Sequence, residues 1–125
     1  MADPKMLPPS LRSQKRYIVF EVISDGKVAY PDIVTAVWAS MLAFIGEAEA
    51  SKAKIWTIKN LYSEEQQKGV IRAAHDHVEH VRAALSLIQV VGESKSVVRV
   101  IGVTGTIKAA RNKYLEKKEQ EEKQS

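Results

Sequence analysis

An α+β fold is predicted by three features of this 125-residue chain. Runs rich in β-branched residues alternate with helical periodicities in the order strand, helix, strand, strand, helix, strand, helix. The prolines, Pro4, Pro8, Pro9 and Pro31, all lie in the first quarter, so everything from Asp32 onward is free of the residue that breaks helices and central strands. Hydrophobic residues make up 45% and charged residues 27%, which is enough apolar material for one core, in a chain too short for two.

Tyr17 to Ile23 (YIVFEVI) is β-branched and aromatic and is followed by Asp25-Gly26, a strand ending in a turn. Pro31 suits the first helical position and Asp32 the positive end of a helix, leading IVTAVWASMLAFI to a stop at Gly46. Lys54 to Leu61 (KIWTIKNL) and Lys68 to Ala73 (KGVIRA) read as a hairpin across the polar turn Tyr62 to Gln67. From Asp76, the residues Val78, Val81, Leu85 and Ile88 recur at three- and four-residue spacing, a helix running to Val91-Gly92. Ser96 to Val103 is a fourth strand, and Thr106 to Leu115 a short closing helix.

This order is the split βαβ pattern: a ferredoxin-like, RRM-like sandwich (βαββαβ) of four antiparallel strands with two helices on one face, plus a C-terminal helix. Residues 15–115 form the domain. Residues 1–14 are expected to be a basic extended arm, and residues 116–125 (EKKEQEEKQS) a disordered charged tail. Strand alternation turns Ile18, Phe20, Val22, Trp56, Ile58, Ile71, Val98 and Val100 toward the helices. It leaves Tyr17, Val19, Glu21, Thr57, Lys59, Val70, Arg72, Arg99 and Ile101 on an open face.

Nineteen Lys and Arg stand against fifteen Asp and Glu, a net charge of +4, so placement of the charge matters more than its size. The absence of cysteine excludes disulfides, thiolate metal sites and thiol nucleophiles, and makes a reducing cytoplasmic location the default. The first sixteen residues lack the apolar core of a signal peptide. The apolar stretch Ile33 to Ile45 falls short of the ~20 residues a membrane span needs, so no membrane is expected. No catalytic triad order, phosphate loop or zinc signature is present. The cluster His75, Asp76, His77, Glu79 and His80 is explained by a helix start, where acids favour the dipole; no cofactor bound by the protein is expected.

Three bases from three strands, Lys59, Arg72 and Arg99, fall on the open face, flanked by Arg12, Lys15 and Arg16 in and beside the arm and by Lys108, Arg111 and Lys113 on the closing helix. Two readings stand at this point: a nucleic-acid footprint, or a solvated face serving solubility. Val70 and Arg72 occupy positions where stacking rings would stand in an RNA-recognition motif, so recognition through backbone and shape is the expectation. The first helix is apolar around most of its circumference. Val34, Trp38, Met41 and Ile45 are therefore candidates for a protein interface, the alternative being a thick core.

Several segments together, LPPSLRSQKRYIVFEVIS, KAKIWTIKN, GVIRAAHDHVEHVRAALSLI and RVIGVTGTIKAARNKYL, resemble the archaeal ribonuclease P protein component two family, counterpart of the eukaryotic Pop-five subunit. The similarity spans residues 7–115. It implies a noncatalytic subunit of the ribonucleoprotein that removes 5′ leaders from precursor tRNA, with Mg²⁺ held by the catalytic RNA. It also implies pairing with component three and self-association of two such pairs as a heterotetramer. Within the matched segments, Arg12, Lys15, Arg16, Lys59, Arg72, Lys108 and Arg111 become candidate RNA contacts. The rival class is a protein-interaction or ligand-binding ferredoxin-like module without RNA.

Overall fold

The computed structural model describes residues 14–115; apart from Gln14, the expected arm, Arg12 with it, and the tail at 116–125 lie outside the described residues. The centre of the sheet is β1 (Lys15–Ser24), rich in β-branched and aromatic residues. It pairs antiparallel with β3 (Lys68–Ala74) on one side and β5 (Ser94–Thr104) on the other. Short strands β2 (Trp56–Thr57) and β4 (Val90–Val91) close the two edges, giving the order β2-β3-β1-β5-β4.

The sheet therefore has five strands where the sequence predicts four. The additional strand forms because the second helix stops early, freeing the β-branched pair Val90-Val91 to fold back on Ser94 and Lys95 across Gly92, whose φ of +61° suits glycine. Conversely, β2 is cut short: after Thr57 the chain coils into a 3₁₀ turn, Lys59–Leu61, rather than continuing as strand.

Helix α1 (Tyr30–Ala53) starts with proline in its first turn, as expected. At the predicted stop, Gly46 leaves helical geometry (φ +82°, ψ 168°), yet the chain resumes helix to Ala53 and ends at Lys54 in the left-handed region. A 3₁₀ turn, His75–His77, leads into α2 (Val78–Ser86). Helix α3 (Ile107–Ala110) is capped by Thr106, whose hydroxyl accepts the Ala109 N–H at 3.1 Å, and widens into a π turn over Arg111–Leu115.

The main core lies between the sheet and α1 with α2. Ile18, Phe20, Val22, Ile71 and Val98 meet Ile33, Val37, Met41, Val81 and Leu85. Each large side chain fully buried here contributes about 1.5–3 kcal/mol by removal from water. The Ser40 hydroxyl donates to the Ala84 carbonyl and ties the two helices together. Two residues expected in this layer are elsewhere: Trp56 is 61% exposed, and Ile58 packs on the opposite face. With β2 only two residues long, strand alternation does not extend along it, and pairing of Trp56 with Arg72 fixes the indole on the open side.

That opposite face is not bare. Between Val19 and Phe20 the β5 register skips Ile101, a bulge that keeps Val98, Val100 and Val103 facing the helices while setting Gly102 beside Val19. Helix α3 and its π turn lie over this point. Val19, Leu61, Val70 and Ala110 form a second buried cluster, with Tyr17, Ile101, Tyr114 and Leu115 packed on it.

By length and composition α1 passes as a membrane span, being 24 residues long with a window of mean hydropathy 1.4. Only 22% of that window is buried, because just one side of the helix, through Ile33, Val37 and Met41, faces the sheet.

Candidate nucleic-acid interface

Strand register arranges the open face in rows. Lys15 stands opposite Ala74; Tyr17 lies between Arg72 and Thr104, with Trp56 beyond Arg72; Val19, Val70 and Gly102 follow under α3; Glu21 comes last, between Lys68 and Arg99. Arg16 alternates to the other side with Ala73, where its Nη1 donates to the Lys15 carbonyl at 2.9 Å. It therefore leaves from the helix-bearing side and not with the other bases.

At one end of this face the Arg72 guanidinium lies 5.4 Å from the centroid of the Trp56 ring, a cation–π contact. The Nε of Arg72 is buried and has no hydrogen-bond partner among the described residues. Lys59 is exposed on the 3₁₀ turn after β2, and Lys108, Arg111 and Lys113 are exposed on α3 and its continuation. At the other end, Arg99 donates from Nε to Glu21 Oε1 at 3.0 Å. An exposed pair of this kind contributes ~0–1 kcal/mol, but it locally offsets the positive charge of Arg99. The bases thus do not act as one even patch: among the described residues, charge without an acidic partner concentrates at the Arg72 end and on α3.

The sequence missed Trp56. Its signal was the pairing itself, since a ring opposite Arg72 must share the face of Arg72, whichever way a longer strand would alternate.

Of the proposed protein-facing residues on α1, Met41 is fully buried and belongs to the core, while Val34, Trp38 and Ile45 are half-buried. The exposed apolar side is carried instead by Leu42 and Phe44. Phe44 lines a shallow cleft with Ala36, Ala39, Ala43, Leu87 and Val90.

In the histidine cluster, His77 is buried between two carboxylates: Nδ1 donates to Asp76 Oδ1 at 2.9 Å and Nε2 to Glu49 Oε2 at 3.2 Å. Both nitrogens face acceptors, so the ring is satisfied only when doubly protonated. The hydrogen bond to Asp76 raises the His77 pKa above the usual imidazole range, with Glu49 adding to it, against the opposing effect of burial. The same contacts hold Asp76 and Glu49 below the usual carboxylate range, and Lys52, 3.2 Å from Glu49, contributes. Among the described residues no group of three or more His, Asp or Glu could hold a metal ion.

This cluster ties the stretch beyond Gly46 to the start of α2. Its stabilisation is present above the ordinary carboxylate pKa of about 4 and is lost as acid protonates Glu49 and Asp76. Toward base, it is complete below the ordinary imidazole value of about 6.5 and is lost as pH rises through the raised folded value. Urea unfolding from pH 4 to 9 is expected to show His77→Gln least stable relative to wild type near pH 5–6, the difference shrinking as pH rises through the raised folded value of His77. A pH-independent difference would contradict the charged bridge.

These features define a class: a small α+β protein whose antiparallel sheet carries two helices on one face and a basic, partly aromatic surface on the other. A model of the Rpp14/Pop5 family matches residues 16–115, and the chain belongs to that family. Ribonuclease P protein component 2 of Pyrococcus furiosus is 42% identical over 112 residues, covering 90% of this chain and 92% of the relative. The protein of the same name from Thermococcus kodakarensis is 40% identical over the same shares. That from Methanosarcina barkeri is 36% identical, over 90% of this chain and 80% of the relative. Among solved structures, a chain in a cryo-EM structure of yeast ribonuclease MRP superposes with a TM-score of 0.58 at 12% identity, covering 90% of this chain and 93% of that one. This last likeness concerns the fold.

Proposed function

We propose that this chain is a protein subunit of an archaeal ribonuclease P, binding its RNA and supporting removal of 5′ leaders from precursor tRNA. The observation that carries the reading is 42% identity, across 90% of the chain, to a ribonuclease P protein component 2. The concentration of bases at Arg72 and along α3 supports phosphate contact as the source of affinity. In this reading the chemistry belongs to the RNA subunit and its Mg²⁺, in the cytoplasm, and the chain contributes no catalytic side chain. The order β2-β3-β1-β5 supports naming the fold ferredoxin-like with an added edge strand.

A protein partner is supported by a separate observation, the apolar cleft beside Phe44, Leu87 and Val90 on a helix whose outer side exceeds what the core uses. We assign to such contacts ribonuclease P protein component 3 and a second copy of the pair, as a heterotetramer, and no membrane.

Reconstitution tests the reading. Cognate ribonuclease P RNA with the remaining protein subunits is expected to cleave precursor tRNA faster at low Mg²⁺ when this chain is added. No gain in cleavage, together with no RNA retained on the chain at low salt, would favour an interaction module without RNA.

A further inference from the structure

We infer that Trp56 and Arg72 form a stacking site for an unpaired nucleobase and its adjoining phosphate; the inference rests on the RNA-binding role proposed above. Trp56 is 61% exposed, the most exposed large hydrophobic residue described, on a two-residue edge strand that needs no such ring for its pairing. The Arg72 guanidinium lies over the indole at 5.4 Å from its centroid, and most of the side chain remains exposed among the described residues. A planar, open indole of this kind suits a base, because every base presents a π-face and stacking is indifferent to its identity. Duplex RNA hides those faces, so the occupant is a loop, bulge or end nucleotide.

Arg72 then serves twice. Its plane supports the ring, and the side chain, half-buried as a whole, offers a guanidinium charge beside the indole to a phosphate of the stacked nucleotide. The flanking charge favours an anion: Lys54 and Lys59 are exposed on either side of β2. Asp76, just beyond the end of β3, and Glu49 are engaged in holding His77. Tyr17 lies two strands from Trp56 in the same row, about 10 Å away, half-buried against the second cluster, so the row runs from the indole toward α3 and its bases. The stacking ring thus comes from β2, in place of the β3 positions that Val70 and Arg72 occupy.

The full chain has two tryptophans, so Trp38→Phe leaves Trp56 as the sole reporter. A short single-stranded RNA is expected to quench its fluorescence, and the same RNA annealed to its complement is not. Trp56→Leu is expected to weaken binding of cognate ribonuclease P RNA by about ten-fold or more with an unchanged salt slope, while Trp56→Phe retains most of the affinity. Equal quenching by the duplex, or wild-type affinity in Trp56→Leu, overturns the stacking site and leaves the RNA-binding role standing; no RNA binding by wild type overturns both. A shift of the free protein's Trp56 emission on deleting residues 1–13 would show that the chain covers its own indole. Loss of a protein partner with RNA affinity intact would assign the indole to protein contact. Either of these results overturns the site.

Discussion

Glutamine at Lys108, Arg111 and Lys113 together is expected to lower affinity for ribonuclease P RNA on the order of a hundred-fold at physiological salt. The slope of log affinity against log salt should fall by about two to three. The three side chains are exposed on a helix that is itself docked by Ala110, Tyr114 and Leu115, so they hold charge over the sheet without supporting it. Their replacement therefore leaves stability within about 0.5 kcal/mol of wild type. Each phosphate they meet releases condensed counterions, and that release is what salt opposes. Glu21→Gln is the complementary change: it frees Arg99 from its 3.0 Å partner and is expected to raise affinity. Filter binding across a salt series reads both. A slope unchanged by the triple substitution would place the RNA elsewhere on the molecule.

How much of this surface the sequence discloses depends on the length of each element. In β1, ten residues of alternation place Ile18, Phe20 and Val22 inward without ambiguity, and the order of elements follows from composition. Phase is lost where strands are short or broken. Two residues of β2 cannot define a face, so Trp56 is legible only through its partner Arg72. The bulge at Ile101 shifts a register that alternation alone would continue to Gly102 and Val103. In α1, apolar residues surround the helix, so periodicity does not choose between Met41, which is buried, and Leu42 and Phe44, which are exposed. The covered half of the open face did leave a trace: Val19, Val70 and Ile101 are too apolar for solvent, and Tyr114 and Leu115 at the end of the domain are what cover them. A sequence gives the faces of elements but not which distant segment returns to pack on them.

That return depends on Gly102. A β-carbon there would overlap the Tyr114 ring, so the absence of a side chain is what lets the ring lie on the sheet. Gly102→Ala is expected to cost about 1–3 kcal/mol, the range for an overpacked contact, and to displace Tyr114 rather than the sheet. With Tyr114 displaced, Val19, Val70 and Ala110 lose their cover, and the π turn carrying Arg111 and Lys113 loses its anchor. The substitution should thus weaken RNA binding without removing a charge. A double-mutant cycle isolates the cause: in a Tyr114→Ala background the added methyl meets no ring, and Gly102→Ala is expected to cost under about 0.5 kcal/mol. Chemical unfolding and RNA affinity of the four proteins measure this coupling. Additive losses would mean that Gly102 acts through the backbone of β5, and that docking of the cationic helix does not depend on this contact.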